Sequence, residues 1–315
     1  MTGNISPIEK LKGQVLDSLK VERERGITVK AVTASMIYED KRNKQRYLLN
    51  LIDTPGHVDF AYEVSRSLAC CQGALLLVDS TQSVQAQTLA NYAKAKDLGL
   101  QIIPVVTKID LPTAMPIETA LKMGTTFGFE PEDAIMTSAK QFIGIDEVLE
   151  RVIDVIPCPT ALSETSINKK FVENLDENNE NNGNNESTNA IVTRATPATK
   201  YMGRIVDSWF DEHRGVVSLI QVMSGVIKEG VRITNYASIK EAKELSGVTD
   251  NRTEFSVQEV GVMTPKSTRT GSLSTGQVGY IVSGIRSTRQ ARVGDTMYIP
   301  SEWNGSSING GGSVP

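Results

Sequence analysis

The sequence is short of the residues that build metal and disulfide scaffolds. Its 315 residues include three cysteines, Cys70, Cys71 and Cys158, and two histidines, His57 and His213. Two of the cysteines are adjacent, the count is odd and the chain is large, which argues against a disulfide framework and for a reducing compartment. Neither CxxC nor HxxxH spacing occurs, so no zinc site is expected. No apolar run approaches the roughly 20 residues needed to span a bilayer. Residues 1–20 have neither the apolar core of a signal peptide nor the arginine-rich, acid-poor character of a transit peptide. An excess of one charge is missing too. Lys and Arg number 33 against 37 Asp and Glu, for a net charge of −4, so overall charge does not mark a nucleic-acid binder. A basic face confined to one surface stays compatible with that balance.

What is present is enough for two globular domains. Hydrophobic residues make up 39% and charged residues 22%, a mixture that buries a core and rules out a wholly disordered chain. In the first half, short apolar runs alternate with segments of helical spacing. Arg46–Ile52 reads as a strand ending at Asp53, Ala74–Val78 as one ending at Asp79, and Ile102–Val106 as one ending at Thr107. Ala134–Thr137 is a weaker fourth, and Ile27–Tyr38, rich in β-branched residues, an additional strand. Val58–Cys70, Gln82–Leu98 and Ile145–Ile156 read as helices. This alternation predicts an α/β domain with a mainly parallel sheet covered on both faces. The expected boundaries are residues 1–160 for this domain, 161–199 for a disordered Asn-rich insertion, 200–300 for an all-β barrel and 301–315 for a loose Gly/Ser-rich tail.

The chemistry lies at the strand ends. Asp53-Thr54-Pro55-Gly56-His57 follows a strand directly, where ligands bind in open α/β sheets. Asp53 can hold a Mg²⁺-bound water, Gly56 lets a backbone N–H approach a terminal phosphate, and His57 can orient an attacking water. Thr107-Lys108-Ile109-Asp110 follows another strand. Asp110 can accept from both N1–H and the 2-amino group of guanine, a pair that adenine does not offer. The Lys108 stem can pack along the base. Ser138-Ala139-Lys140 follows the fourth apolar run and can present a backbone N–H to guanine O6. Arg25-Gly-Ile-Thr28 can complete Mg²⁺ and γ-phosphate contacts through the Thr28 hydroxyl. Each motif alone is also readable as a cap, a turn or a solvated charge run; their order along the chain favours a nucleotide site.

These motifs resemble those of the translational GTPases. Arg25–Thr28 is similar to their switch I, Asp53–His57 to switch II, Thr107–Asp110 to the base-specificity motif and Ser138–Lys140 to the last motif. Leu16–Lys30, His57–Leu68, Val206–Leu219 and Gly261–Pro265 resemble the LepA family (elongation factor 4) more narrowly. The likeness runs from about Gln14 to Ile299, apart from the insertion, which points to a fungal-type mitochondrial member. The resemblance implies a P-loop-type GTPase domain followed by the translation-factor β-barrel, with His57 as the catalytic residue. It implies GTP or GDP and Mg²⁺ as ligands, Mg²⁺ being held by Thr28 and, through water, by Asp53. It also implies the mitochondrial ribosome as partner, contact with tRNA indirectly, and residence on the matrix side of the inner membrane. The activity implied is GTP hydrolysis that moves tRNAs back one codon on incorrectly translocated ribosomes.

Three departures qualify these expectations. No GxxxxGK[ST] run occurs in the 315 residues. The first strand and P-loop of the family pattern are therefore expected to be absent, as are its C-terminal domains. Losing several phosphate hydrogen bonds predicts binding weakened by roughly 10⁴-fold. Thr107 stands where the family carries asparagine. A non-catalytic ribosome-binding module, or an incomplete form of the GTPase, is the alternative reading. Of the remaining features, Trp209 and Phe210 are expected in the barrel core or a domain interface, His213 at the surface, and Cys70 and Cys71 in buried packing. Arg286, Arg289 and Arg292 read as a solvated loop, with ribosomal RNA phosphate as the alternative partner.

Overall fold

The computed structural model describes residues 27–159, 200–236, 254–264, 266–285 and 287–303, together with Leu16, Glu22 and Glu24. The expected Asn-rich insertion, Arg25, Gly26 and Arg286 lie outside the described residues. The chain divides into two compact units, at Cys158 and Pro159.

The first unit opens with an antiparallel hairpin of β1 (Val32–Glu39) and β2 (Arg46–Asp53), in which Val32 faces Asp53 and Glu39 faces Arg46. The strand expected over Ile27–Tyr38 thus starts later, because Glu22 folds the preceding stretch into a turn. Its buried carboxylate accepts the backbone N–H groups of Val29 at 3.0 Å and Lys30 at 3.1 Å.

A separate three-stranded parallel sheet follows, in the order β3 (Gly73–Asp79), β4 (Gln101–Thr107) and β5 (Ile135–Met136). The expected parallel sheet is present, but the strand ending at Asp53 stands outside it. The hairpin strands bond to each other and not to β3, so the sheet has only three strands. Four helices cover it: α1 (Ala61–Leu68), α2 (Ala86–Asp97), α3 (Pro116–Phe127) and α4 (Ile145–Val155). Alternation along the strands sorts the core. Leu76, Val78 and Val106 pack with Ala120, Met123 and Phe127 of α3, whereas Ile103, Val105 and Ile135 pack with Val148 of α4. The α4 face is incompletely covered, leaving Leu77 of β3 59% exposed.

Helix α3 was not read from the sequence. Its signals are Pro116 at its first turn, apolar residues at helical spacing on one side, and Gly128 closing it with φ at 81°. Cys70 is buried and Cys71 half-buried after α1, as expected for packing residues. Burial, with Cys70 adding to it, pushes the Cys71 thiol up to about 12, which removes it from thiolate chemistry.

The second unit is the β-barrel. It contains β6 (Met202–Asp211), β7 (Gly215–Ser224), β8 (Val226–Lys228), β9 (Arg232–Asn235), β10 (Phe255–Ser256), β11 (Glu259–Met263), β12 (Ser267–Arg269), β13 (Ser272–Ser274), β14 (Val278–Val282) and β15 (Thr296–Tyr298). Eight of these strands form one sheet ordered β10-β9-β15-β6-β7-β14-β11-β12, and β13 pairs with β8. Ile205, Ile220, Ile227, Ile233, Leu273 and Ile281 form a core closed to solvent.

Two expectations about this unit change. Trp209 packs against the Val217–Tyr280–Val282 cluster, but Phe210 is 63% exposed, since neighbours on a strand face opposite ways. The supposed tail begins with a helical turn, α5 (Pro300–Trp303), in which Glu302 accepts the Tyr201 backbone N–H at 2.6 Å. Residues 301–303 therefore belong to the barrel. His213 is exposed, as expected.

The hairpin is moored to α4 by charge. Lys41 pairs with Asp146 at 2.7 Å, and Arg42 bridges the buried Asp40 at 2.9 Å and Asp154 at 2.8 Å. Hydrogen bonds from Arg42 hold both the Asp40 and Asp154 carboxyls below their ordinary values. Depressed carboxyls contribute stability that is present above the unfolded value, near 3.8, and lost as pH falls through the lower folded values. An Arg42→Met variant is expected to melt at a lower temperature than wild type at about pH 7, with the gap closing at about pH 2. Thermal unfolding followed by circular dichroism at both values checks this; a gap that persists in acid would assign the effect to packing.

Candidate functional site

The site grows out of parallel pairing. Gly73 to Asp79 lie opposite Gln101 to Thr107, and Val105 and Val106 lie opposite Ile135 and Met136, so three strands finish side by side. The loops leaving those ends are tied together. The Thr137 backbone N–H donates to the Val106 carbonyl at 2.8 Å and the Ile109 N–H to the Thr137 carbonyl at 3.3 Å. Buried Ser138 donates its hydroxyl to the Asp110 carboxylate at 2.7 Å. The structure thereby brings Thr107–Asp110 and Ser138–Lys140 into one cluster.

Local sequence explains how each loop holds its shape. Ser138 and Ile143 exchange backbone hydrogen bonds at 3.1 and 3.0 Å, closing the turn that exposes Ala139 and Lys140. That turn ends at Gly144, with φ at 72°, where a Cβ would lie 2.2 Å from the Met136 carbonyl oxygen. Only glycine fits there, and it starts α4. Thr107 donates its hydroxyl to the Val78 carbonyl at 3.3 Å, bracing β4 against β3. Lys108 adopts φ of 59°, a left-handed conformation that side chains avoid unless held. The loop backbone around it is tied by Leu111 N–H to the Lys108 carbonyl at 3.2 Å, and its ammonium lies 2.7 Å from the Asp79 carboxylate.

Asp79 was visible in the sequence only as a strand end. Its carboxylate is mostly enclosed and accepts the Thr81 N–H at 2.8 Å and the Thr81 hydroxyl at 2.7 Å. Burial alone would raise its pKa, but the hydrogen bonds from Lys108 and Thr81 together outweigh it and hold the carboxyl below its ordinary value. The signal that could have found it is an aspartate ending β3 directly opposite the residue before Lys108.

Of the other two motifs, Asp53 closes β2 opposite Val32, and Thr28 precedes Val32 by four residues in the chain, with Arg25 and Gly26 outside the described residues. After Asp53, Pro55 is buried while Gly56 and His57 are exposed. A Cβ at Gly56 would meet nothing within 4 Å, so its backbone faces open space. His57 Nδ1 accepts the Asp59 backbone N–H at 3.2 Å and lies 3.4 Å from the Asp59 carboxylate. The His57 Nδ1 is thus engaged with Asp59. Among the described residues no group of three or more His, Cys, Asp or Glu side chains is placed to hold a metal. Asp53 and Thr28 instead offer two oxygen donors, a set that fits Mg²⁺ when phosphates and water complete the shell.

The description "Elongation factor Tu GTP binding domain" matches residues 1–158. The chain belongs to that family. Its relatives are similar over most of its length. It is 45% identical over 291 residues to the mitochondrial translation factor GUF1 homologue of Dictyostelium discoideum, covering 92% of this chain and 36% of that protein. It is 43% identical to the Arabidopsis thaliana GUF1 homologue, over 90% of this chain and 36% of the relative. With GUF1 of Vanderwaltozyma polyspora it shares 44%, over 94% of this chain and 38% of the relative. These relatives agree with the LepA-type resemblance in the sequence, and the chain spans little more than a third of their length. The bacterial selenocysteine-specific elongation factor EF-Sec shares the fold at a TM-score of 0.57 and 18% identity, over 93% of this chain and 42% of that one.

Removing the hydroxyl in a Ser138→Ala variant leaves Asp110 free to rotate. A hydrogen bond to a charged group contributes about 1.5–3 kcal/mol, so guanine-nucleotide affinity is expected to fall at least about tenfold. Titration with a fluorescent guanine nucleotide measures it. An unchanged dissociation constant would show that Asp110 is oriented by its own loop.

Proposed function

We propose that this chain is the guanine-nucleotide-binding portion of a ribosome-dependent GTP hydrolase serving mitochondrial protein synthesis. The observation that carries the reading is Asp110, fixed by Ser138 where the ends of β4 and β5 meet. A fixed carboxylate there accepts from N1–H and the 2-amino group of guanine, and the exposed Ala139 presents its backbone N–H towards O6. Lys108 lays its methylene stem along the base.

Hydrolysis falls to the hairpin's end. The open backbone at Gly56 is suited to a terminal phosphate. His57 orients the attacking water, while Thr28 and Asp53 would hold Mg²⁺. That ion would supply charge neutralisation on the phosphates. Phosphoryl transfer asks chiefly for positioning and charge stabilisation, which these groups provide. The mitochondrial names of the relatives support a mitochondrial ribosome as partner, its RNA and proteins included, with tRNA contacted indirectly. Back-translocation of tRNAs by one codon, and attachment to the matrix side of the inner membrane, complete the proposal on resemblance alone. Among the described residues no helix is long and apolar enough to cross a membrane.

A second reading has one observation in its favour. The sequence holds no GxxxxGK[ST] run to wrap the phosphates. On that reading the chain docks on the ribosome without hydrolysing GTP.

Equilibrium binding of a fluorescent GTP analogue with Mg²⁺ separates the two. Saturable, guanine-selective binding supports the hydrolase; its absence in a folded chain supports the docking module. With binding established, His57→Ala is expected to slow ribosome-stimulated turnover by about 10²-fold or more while binding is largely kept. Unchanged turnover would remove His57 from the mechanism.

A further inference from the structure

We propose that Asp79, at the end of β3, is a positioning residue for guanine recognition that acts through Lys108. The inference rests on the guanine-nucleotide reading above and adds a residue that none of its motifs contains.

The Lys108 backbone is left-handed, with φ at 59°, a conformation that residues with a Cβ rarely adopt, so the direction in which its side chain leaves the loop is set by the fold. The Asp79 carboxylate divides its work between two oxygens. Oδ1 accepts both the backbone N–H and the hydroxyl of Thr81, which fixes the carboxylate plane. Oδ2 is left for the Lys108 ammonium, at 2.7 Å. Register aims it, because Asp79 lies directly opposite Thr107 in the parallel ladder.

A purely structural account of this pair is weak. Seven backbone pairs already hold β3 to β4, and Ser80 adds a further tie by donating its N–H to the Thr107 carbonyl at 3.0 Å. The Lys108 side chain is 58% exposed, and ion pairs so open to water contribute little to stability. The pair does something else: it fixes the direction of a long side chain. A lysine free in solvent samples many rotamers, and holding it for a ligand costs entropy at the moment of binding. Asp79 meets that cost during folding. The stem is then an extended apolar rail beside Asp110, suited to one face of a flat base.

Thr107 sharpens the case. Its hydroxyl is engaged with the Val78 carbonyl of β3, so it braces the loop instead of reaching for a ligand. Orientation of the loop's two recognition side chains then divides cleanly. Ser138 sets Asp110, and Asp79 sets Lys108. Guanine choice belongs to the first pair and affinity to both.

The test is equilibrium binding of a fluorescent GDP analogue to the full chain, as wild type, Asp79→Asn, Lys108→Met and the double variant, with adenine competition and circular dichroism on each. Asp79→Asn is expected to weaken binding about fivefold or more, leaving preference for guanine over adenine in place. Lys108→Met is expected to match that loss, and the double variant to add little to it, the signature of one residue acting through the other. Asp79→Glu, which keeps the charge, should recover part of the affinity. Additive losses, or an Asp79→Asn affinity within about twofold of wild type, would overturn the inference and leave the guanine reading intact. If Asp79→Asn does not fold, Lys108→Met decides alone: a loss of about fivefold supports the inference and a change within about twofold overturns it. A folded wild-type chain that binds no guanine nucleotide removes the guanine reading and this inference together.

Discussion

Parallel hydrogen bonding between β3 and β4 is the constraint on which the candidate site depends. Parallel strands need a covered crossover, and each crossover here returns the chain to the same edge of the sheet. The consequence is that Asp79 emerges beside Thr107, and the loop after Thr107 emerges within hydrogen-bonding reach of the Thr137–Lys140 loop. None of these side chains finds its partner through sequence proximity. Ser138 and Asp110 are 28 residues apart, as the loop-to-loop bond between them records, and only the ladder makes that separation short. Burial of Val78 and Val106 on one face and of Ile103 and Val105 on the other holds the ladder in register against its covering helices.

The rest of the machinery is attached differently. Asp53 ends a hairpin whose strands, among the described residues, bond to each other and not to β3, and whose turn is moored by Arg42 and Lys41; Thr28 lies just before the hairpin. Base recognition thus stands on a packed parallel sheet, while the groups suited to phosphate and Mg²⁺ stand on a two-stranded ribbon. Two-stranded ribbons are marginal on their own and depend on what they lean against. The division has a functional logic in a nucleotide site: the base end is common to every nucleotide state, and the phosphate end is where those states differ.

Much of this was legible in the residues. Asp53, Asp79 and Thr107 each follow an apolar run, and every one of those runs became a strand. Long-range placement was not legible. Periodicity names a strand without naming its neighbours, so the pairing of the strand ending at Asp53 with Val32–Glu39, apart from the three-stranded parallel sheet, was not legible. Helix α3 was missed because the stretch before it, Leu111-Pro-Thr-Ala-Met115, reads as loop, and Ile117 and Leu121 face outward where an amphipathic pattern would have polar residues. Phe210 was misplaced because a Trp-Phe pair looks like core, although adjacent strand residues cannot both point inwards. The tie from Glu302 to Tyr201 joins residues about a hundred positions apart, and nothing in a polar tail announces it. The Asp79–Lys108 pair lay hidden for the same reason: both residues were in view, and their adjacency was not.

The mooring of the hairpin has a mechanical corollary. Asp40 and Arg42 sit at the turn, and Asp53 closes the opposite end of an eight-residue strand. At about 3.4 Å per residue the ribbon is a lever of roughly 27 Å anchored at the Lys41 and Arg42 ion pairs. By that length alone, a tilt of about 5° at the anchor would carry the Asp53 end through about 2 Å.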